Sequence, residues 1–180
     1  RSCPLRLLSG SVVLPGSPAA ADVPNGLVLR YDASQTSGTT VSDTSGNGRD
    51  GVLQGDASFS PGGGLTLGGT NGYVKLPNNV MAGLSSITVS TDVFIESSQA
   101  TPYFIWGLGN PATSSTGTGY LMASGNGFRA ATTPGNWSGE KVTARTSGGN
   151  LARGVWKTVT YTQTGTTGTL YEDGVQVGQN

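Results

Sequence analysis

The chain has 180 residues, 34% of them hydrophobic and 11% charged, with 30 glycines, no histidine and a formal net charge of zero. That length suits one domain, and a charged fraction below half the usual value of about a quarter argues against a disordered polar tail. Zero net charge without a basic stripe argues against nucleic acid and anionic membranes as partners.

Residues 1–21 read as a secretory signal peptide, clipped at its start because the chain begins with Arg. Arg1 and Arg6 precede an apolar run, and Ala19-Ala20-Ala21 supplies the small residues of a cleavage site. The apolar run is too short to span a bilayer. Secretion is therefore expected. Cleavage would remove Cys3, the only cysteine, and with no histidine it leaves no zinc-ligand set and no Cys or His nucleophile–base pair.

From residue 22 onward the chain reads as many short strands joined by tight turns. Gly, Thr, Ser and Val are abundant, which suits pleated, half-buried surfaces and close reversals. A first strand is expected over residues 26–31. Asn47-Gly48, Asp50-Gly51, Asn71-Gly72, Asn126-Gly127 and Asp173-Gly174 supply the positive φ angles of hairpin turns. Residues 78–84 suit one short helical turn. Residues 86–96 alternate with period two, Ile87, Val89, Val93 and Ile95 on one face and Thr88, Ser90, Asp92 and Phe94 on the other. Residues 103–108 form another run, with Phe104, Trp106 and Leu108 sharing a face and read as core. Residues 112–119 and 147–150 are small and polar, as loops are. Residues 156–163 are a further strand, with Trp156 also read as core. Residues 169–172 and 175–178 flank Asp173-Gly174 as a hairpin. No repeat, second domain or substantial helix is expected. The fold class is all-β, a two-sheet antiparallel jelly-roll sandwich.

Several motifs along the chain resemble those of laminin-G-like (concanavalin A-like lectin/glucanase) domains. The stretch from Asp43 through Ser45-Gly46-Asn47-Gly48 to Gly51 is similar to the family's D-x-S-G-N-G-x-x-G loop. Gly72-Tyr73-Val74-Lys75-Leu76-Pro77, Ser86-Ile87-Thr88-Val89-Ser90, Trp156-Lys157-Thr158-Val159 and Leu170-Tyr171-Glu172-Asp173-Gly174 resemble its later strands, in family order. The resemblance covers residues 26–180. It implies a module of the kind attached to secreted actinobacterial glycoside hydrolases that act on arabinose- or xylose-containing glycans. Two departures stand out. Asp92 occupies the place where many members have Trp, and the chain stops where members continue for further strands, so C-terminal strands and a covalently linked C-terminal catalytic domain are expected to be missing.

Intrinsic catalysis has weak support. Jelly-roll glycanases set paired carboxylates about 5 Å apart or somewhat more, whereas Asp92 and Glu96, which share a strand face, are spaced by roughly 13 Å. Glu172 and Asp173 are neighbours and should point to opposite faces. Calcium is a candidate cofactor at Asp43, Asn47 and Asp50, whose oxygens lie on one glycine-rich loop. The alternative is that these side chains bond their own turn backbone. Sugar binding needs aromatic platforms with polar readers around them. Trp137 lies in a polar loop, as either a platform or a loop anchor. Tyr120, Phe128 and Arg129 flank Asn126-Gly127, and Tyr171 and Asp92 complete the candidate ligand set. The expected function is a noncatalytic, carbohydrate-binding accessory module whose partner is a polysaccharide or oligosaccharide; the alternative is a structural spacer or adhesion module.

Overall fold

A computed structural model describes residues 3–5 (backbone only), 26–69, 71–109, 119–135 and 137–180. Apart from residues 3–5, the expected leader lies outside the described residues, as does the loop expected at 112–119 but for Gly119. The chain forms two compact units, one ending at Val80 and the other running from Met81 to Asn180.

The first unit holds two small antiparallel sheets. One joins β1 (Cys3–Leu5), β5 (Leu65–Leu67) and β4 (Ser58–Phe59) in that order; the other joins β2 (Thr40–Val41), β3 (Gly51–Gln54) and β6 (Tyr73–Lys75). Val41, Leu53, Phe59 and Leu65 are buried together with Ala33, and Tyr31 and Val74 pack against them. The strand expected over residues 26–31 reduces to one bridge, Tyr31 to Asp43. Side chains of the following loop replace the missing ladder: Asp43 accepts the Arg30 N–H at 3.0 Å, and Asn47 donates to Leu27 C=O at 2.8 Å.

The second unit is a sandwich of two four-stranded antiparallel sheets. One runs β11 (Lys141–Ala144), β10 (Arg129–Thr133), β9 (Tyr120–Ser124), β8 (Phe104–Gly109). The other runs β14 (Val175–Gln179), β13 (Thr167–Glu172), β12 (Trp156–Thr164), β7 (Ser86–Phe94). Period two places the apolar set of β7 and β12 inward, and it continues into Ile95 just after β7: Val93, Ile95, Val159 and Tyr161 are at most 2% exposed. From the facing sheet, Thr143, Ala130, Ala123 and Trp106 lie in one register column. The Trp106 ring meets Tyr161 at 6.4 Å between centroids. Gly168 must lack a side chain there, because a Cβ would stand 2.4 Å from Tyr161 Oη and 2.8 Å from Thr143 Oγ1. The all-β antiparallel sandwich expected from the sequence is therefore the fold found. Among the described residues its one helical element is a 3-10 turn, Trp137–Gly139; residues 78–83 form plain turns.

Several local expectations are corrected. Phe104 is 66% exposed because β8 carries a bulge: Phe104 pairs with Ser124 and Trp106 with Ala123, so Ile105 is the extra residue. The bulge turns Ile105 inward, while Phe104 leaves the face of Trp106 and Leu108. Trp156 is 37% exposed because it shares parity with Thr158 and Thr160 rather than with Val159, and it lies against Phe94 at 5.6 Å. Asp50-Gly51 and Asn71-Gly72 are not positive-φ turns. Gly51 opens β3, where a Cβ would sit 2.8 Å from both Tyr31 Oη and Val74 Cγ1. Asp173-Gly174 does form the hairpin turn, with φ values of 50° and 78°. Its left-handed backbone also breaks the strand alternation, so Glu172 and Asp173 converge on Lys157 Nζ at 2.9 and 2.6 Å instead of diverging.

Leu170 is fully buried, so Leu170→Ala should lower unfolding stability by about 2–5 kcal/mol. Phe104→Ala, on the exposed side of the bulge, should change it by no more than about 0.5 kcal/mol. Urea denaturation of the two variants checks the pair, and an equal loss in both would contradict the bulge.

Candidate functional site

The loop from Asp43 to Asp50 was the candidate metal centre. Asp43 is the acceptor around which it is tied. Its Oδ1 takes the N–H groups of Arg30 and Ser45 at 3.0 and 2.9 Å; its Oδ2 takes Arg49 N–H at 2.9 Å and Ser45 Oγ–H at 2.8 Å. Asp50 accepts the Asp43 N–H at 2.8 Å. Asn47 turns its amide nitrogen to Leu27 C=O and to Ser45 Oγ. So arranged, the three side chains do not fit a calcium ion, which needs six to eight converging oxygens. Among the described residues no three or more His, Cys, Asp or Glu side chains are grouped to hold a metal. Of the two roles open to this loop, the hydrogen bonds describe turn-bonding. Burial works against the charged form of Asp43, but the bonds from Ser45, Arg30 and Arg49 outweigh it and hold the carboxyl at about 2.

The second unit contains a cleft of about 420 Å³, within the size range of small-ligand sites. It opens at the end of the sandwich where β7 begins, β8 ends and β9 begins. Leu84 and Ile87 supply apolar wall on one side and Leu121 on the other; Tyr120, Thr132 and Gln163 bring polar groups. Gln163 is the next inward residue of β12 after Tyr161, whose hydroxyl donates to its Oε1 at 3.1 Å. The cleft therefore begins where the packed core stops.

Tyr120 is the candidate residue that reaches this cleft. Its hydroxyl donates to Glu140 Oε1, and Glu140 Oε2 receives Arg129 Nη1 at 2.9 Å. Alternation explains the meeting: Tyr120 and Arg129 both lie on the outward face, opposite in parity to the inward Ala123 and Ala130, and Glu140 enters β11 beside them. Burial, then the bond to Glu140, pushes the Tyr120 phenol up to about 12. Burial opposes ionisation of Glu140, but hydrogen bonds from Tyr120 and Arg129 hold its carboxyl below the usual range. The 3-10 turn brings in Trp137, which is 76% exposed, and Glu140 N–H closes that turn on Trp137 C=O at 3.1 Å. Gly119, on the cleft wall, donates to Gly135 C=O at 2.7 Å and draws the same segment close.

Of the expected ligand set, Tyr120 and Arg129 thus meet on Glu140, and Trp137 lies exposed in the turn just before it. Phe128 is corrected: it is fully buried, with the Arg145 guanidinium 4.9 Å over its ring, and so has no surface for a ligand. Asp92 and Tyr171 lie on the outward face of the other sheet, where Asp92 accepts Thr158 Oγ–H at 2.6 Å and Tyr171 pairs with Thr160. Sequence reasoning missed Glu140 and Gln163. Glu140 is a single acid beside a loop and carries no local signal; Gln163 was legible only as the end of a strand.

Two outcomes follow for the Asp43 loop. Asp43→Ala should cost about 1–3 kcal/mol, because it strands several backbone donors, and calcium or a chelator should leave Tm within about 1 °C. The folded-state pKa of Asp43 lies below its unfolded value of about 3.9. Its contribution is thus present above that value and lost as pH falls toward about 2. Acid titration of thermal stability should show this loss in the parent chain and a shallower one in Asp43→Asn. A rise in Tm of several degrees on adding calcium would restore the metal reading.

Comparison with known proteins gives one family. A laminin G family model, described as the concanavalin A-like lectin/glucanases superfamily, matches residues 68–180. Searches among curated proteins and among solved structures return no significant match. A domain of this superfamily fits a carbohydrate-binding or an adhesion module. With a family match over more than half its length and a nearly all-β antiparallel fold, the chain belongs to the concanavalin A-like lectin/glucanase superfamily.

Proposed function

We propose that the chain is a noncatalytic carbohydrate-binding module, an accessory to a secreted glycoside hydrolase acting on arabinose- or xylose-containing glycans. The observation that carries the binding reading is the cleft of the second unit, together with an exposed indole on the turn that precedes β11. Sugars present apolar ring faces and a rim of hydroxyls. A wall of Leu84, Ile87 and Leu121 with neutral polar groups interspersed matches that chemistry. Trp137, tied through its own turn to Glu140 and so to Tyr120, offers an exposed stacking surface on the same unit. The link to a hydrolase rests on the sequence resemblance alone. A module of this kind raises the effective concentration of a tethered catalytic domain at its polymer without adding chemistry.

Affinity electrophoresis through gels containing arabinoxylan, xylan or arabinan checks the reading. The parent chain should be retarded by at least one of them. Trp137→Ala should weaken that retardation by about tenfold, from the loss of ring stacking and its buried area, while Tm stays unchanged because the indole is exposed. Free migration of the parent chain through every polysaccharide would favour an adhesion or spacer role instead.

A further inference from the structure

We infer that the free edge of β7 pairs with the same edge of a second copy of this chain, antiparallel about a two-fold axis at Val89 and Ser90.

The phase of the backbone shows what this edge offers. Among the described residues β7 pairs with β12 alone. Thr158 of β12 turns its backbone groups the other way: its C=O takes the Asp173 N–H at 2.8 Å, and its N–H goes to Asp173 Oδ1 at 2.9 Å. Its neighbour on β7, Asp92, must then point its own N–H and C=O away from β12. The far end of the sheet agrees. Gly168 exchanges both backbone bonds with Asn180, which leaves Thr167 and Thr169 to bond Thr164 and Thr162 of β12. Alternation therefore sets the N–H and C=O groups of Ser86, Thr88, Ser90 and Asp92 along the free edge, with the first three of these residues exposed.

The other outer strands of the sandwich are protected. The edges of β11 and β14 are tied together: Asn180 Nδ2 donates to Val142 C=O and Thr146 N–H to Val177 C=O, both at 2.8 Å. On β8 the bulge at Ile105 breaks the line, and Gly107 and Gly109 follow. By contrast β7 runs nine residues without bulge, Pro, Gly or Lys. Those are the devices that keep sheet edges from joining.

A copy of β7 suits this edge because an antiparallel pairing matches its groups in number and kind. Each facing pair drawn from Ser86, Thr88, Ser90 and Asp92 exchanges two N–H···O bonds. Ile87 and Val89, only half-buried on the inner face, gain cover from the second copy. Asp92 is the one charged residue of the strand. Antiparallel pairing keeps its two copies at least about 13 Å apart along the strands, each facing a Ser86 or Thr88 hydroxyl; parallel pairing would set the carboxylates side by side. So short an edge falls at the small end of specific interfaces, which implies association in the micromolar range.

Sedimentation equilibrium of the chain, from about one to several hundred micromolar, tests the pairing. The mass should rise with concentration from 18.2 kDa toward twice that value and stop there. Thr88→Pro removes an N–H that serves the free edge and no internal ladder bond. It should weaken association at least about tenfold, one bond being lost on each side of the axis, with the circular dichroism spectrum unchanged. Should that variant fail to fold, Ser90→Lys, which brings two like charges together at the axis, should give a loss in the same direction. Ser86→Lys should strengthen association about two- to tenfold at low salt, through attraction to Asp92 of the second copy. A weakening there would mean parallel strands and overturn the inference. So would a dimer that none of these variants moves, or assembly that continues past the dimer. A mass fixed at 18.2 kDa at every concentration would overturn it too, and leave the edge to a strand from another protein.

Discussion

Tyr161 stands where the two sheets of the second unit meet, and its burial sets the terms for what surrounds it. A tyrosine ring can be enclosed at low cost only if its hydroxyl finds a partner and its flanks are filled. Gln163 supplies the partner, the Trp106 ring fills one flank, and Gly168 leaves room for the hydroxyl end. Gln163 and Gly168 sit at a fixed register from Tyr161 while Trp106 meets it from the facing sheet, so the ring ties the pairing of β12 with β13 to the packing of the two sheets. The cleft is a consequence. One step further along β12 the inward residue is a glutamine, the enclosed core ends, and the space between the sheets opens.

The few charges in the chain act as fasteners. Asp43 gathers backbone N–H groups from Arg30, Ser45 and Arg49 and stands in for a strand ladder in the first unit. Asp173 takes the Thr158 N–H at 2.9 Å and shares Lys157 with Glu172, pinning the β13–β14 hairpin to β12. Glu140 joins a phenol from β9 to a guanidinium from β10. A partly shielded carboxylate with several donors is a strong, directional tie. An acid so engaged is less available for general acid–base work or metal binding, which explains why neither the Asp43 loop nor the Glu172-Asp173 pair resembles a reaction centre.

Much of the fold was legible from local chemistry. The alternation of Ile87, Val89, Val93 and Ile95 placed one face of β7 inward, and Asp173-Gly174 marked a hairpin whose φ values are those such a turn needs. Where reading from the sequence failed, the cause was an event that local pattern does not encode. A bulge at Ile105 moved Phe104 out to solvent. Asp50-Gly51 looked like a turn, yet its glycine answers to the Tyr31 ring packed across it. Of the site, Trp137 stood out because an indole in a polar loop is unusual, and Tyr120 and Arg129 because they flank a hairpin. Phe128 shared that hairpin and proved to be core.

By itself the sequence determined the strand class and the inward set of most strands, because side-chain period and turn stereochemistry act over a few residues. It also determined that the candidate site would have little charge to work with. Only the tertiary structure decided which polar groups meet. Tyr120, Arg129 and Glu140 belong to three successive strand segments, and their contact depends on the antiparallel registers of β9, β10 and β11 and on all three side chains taking the outward face. A shift of one residue in either register would send one of them inward, and no local pattern specifies that register closely enough to name the partners.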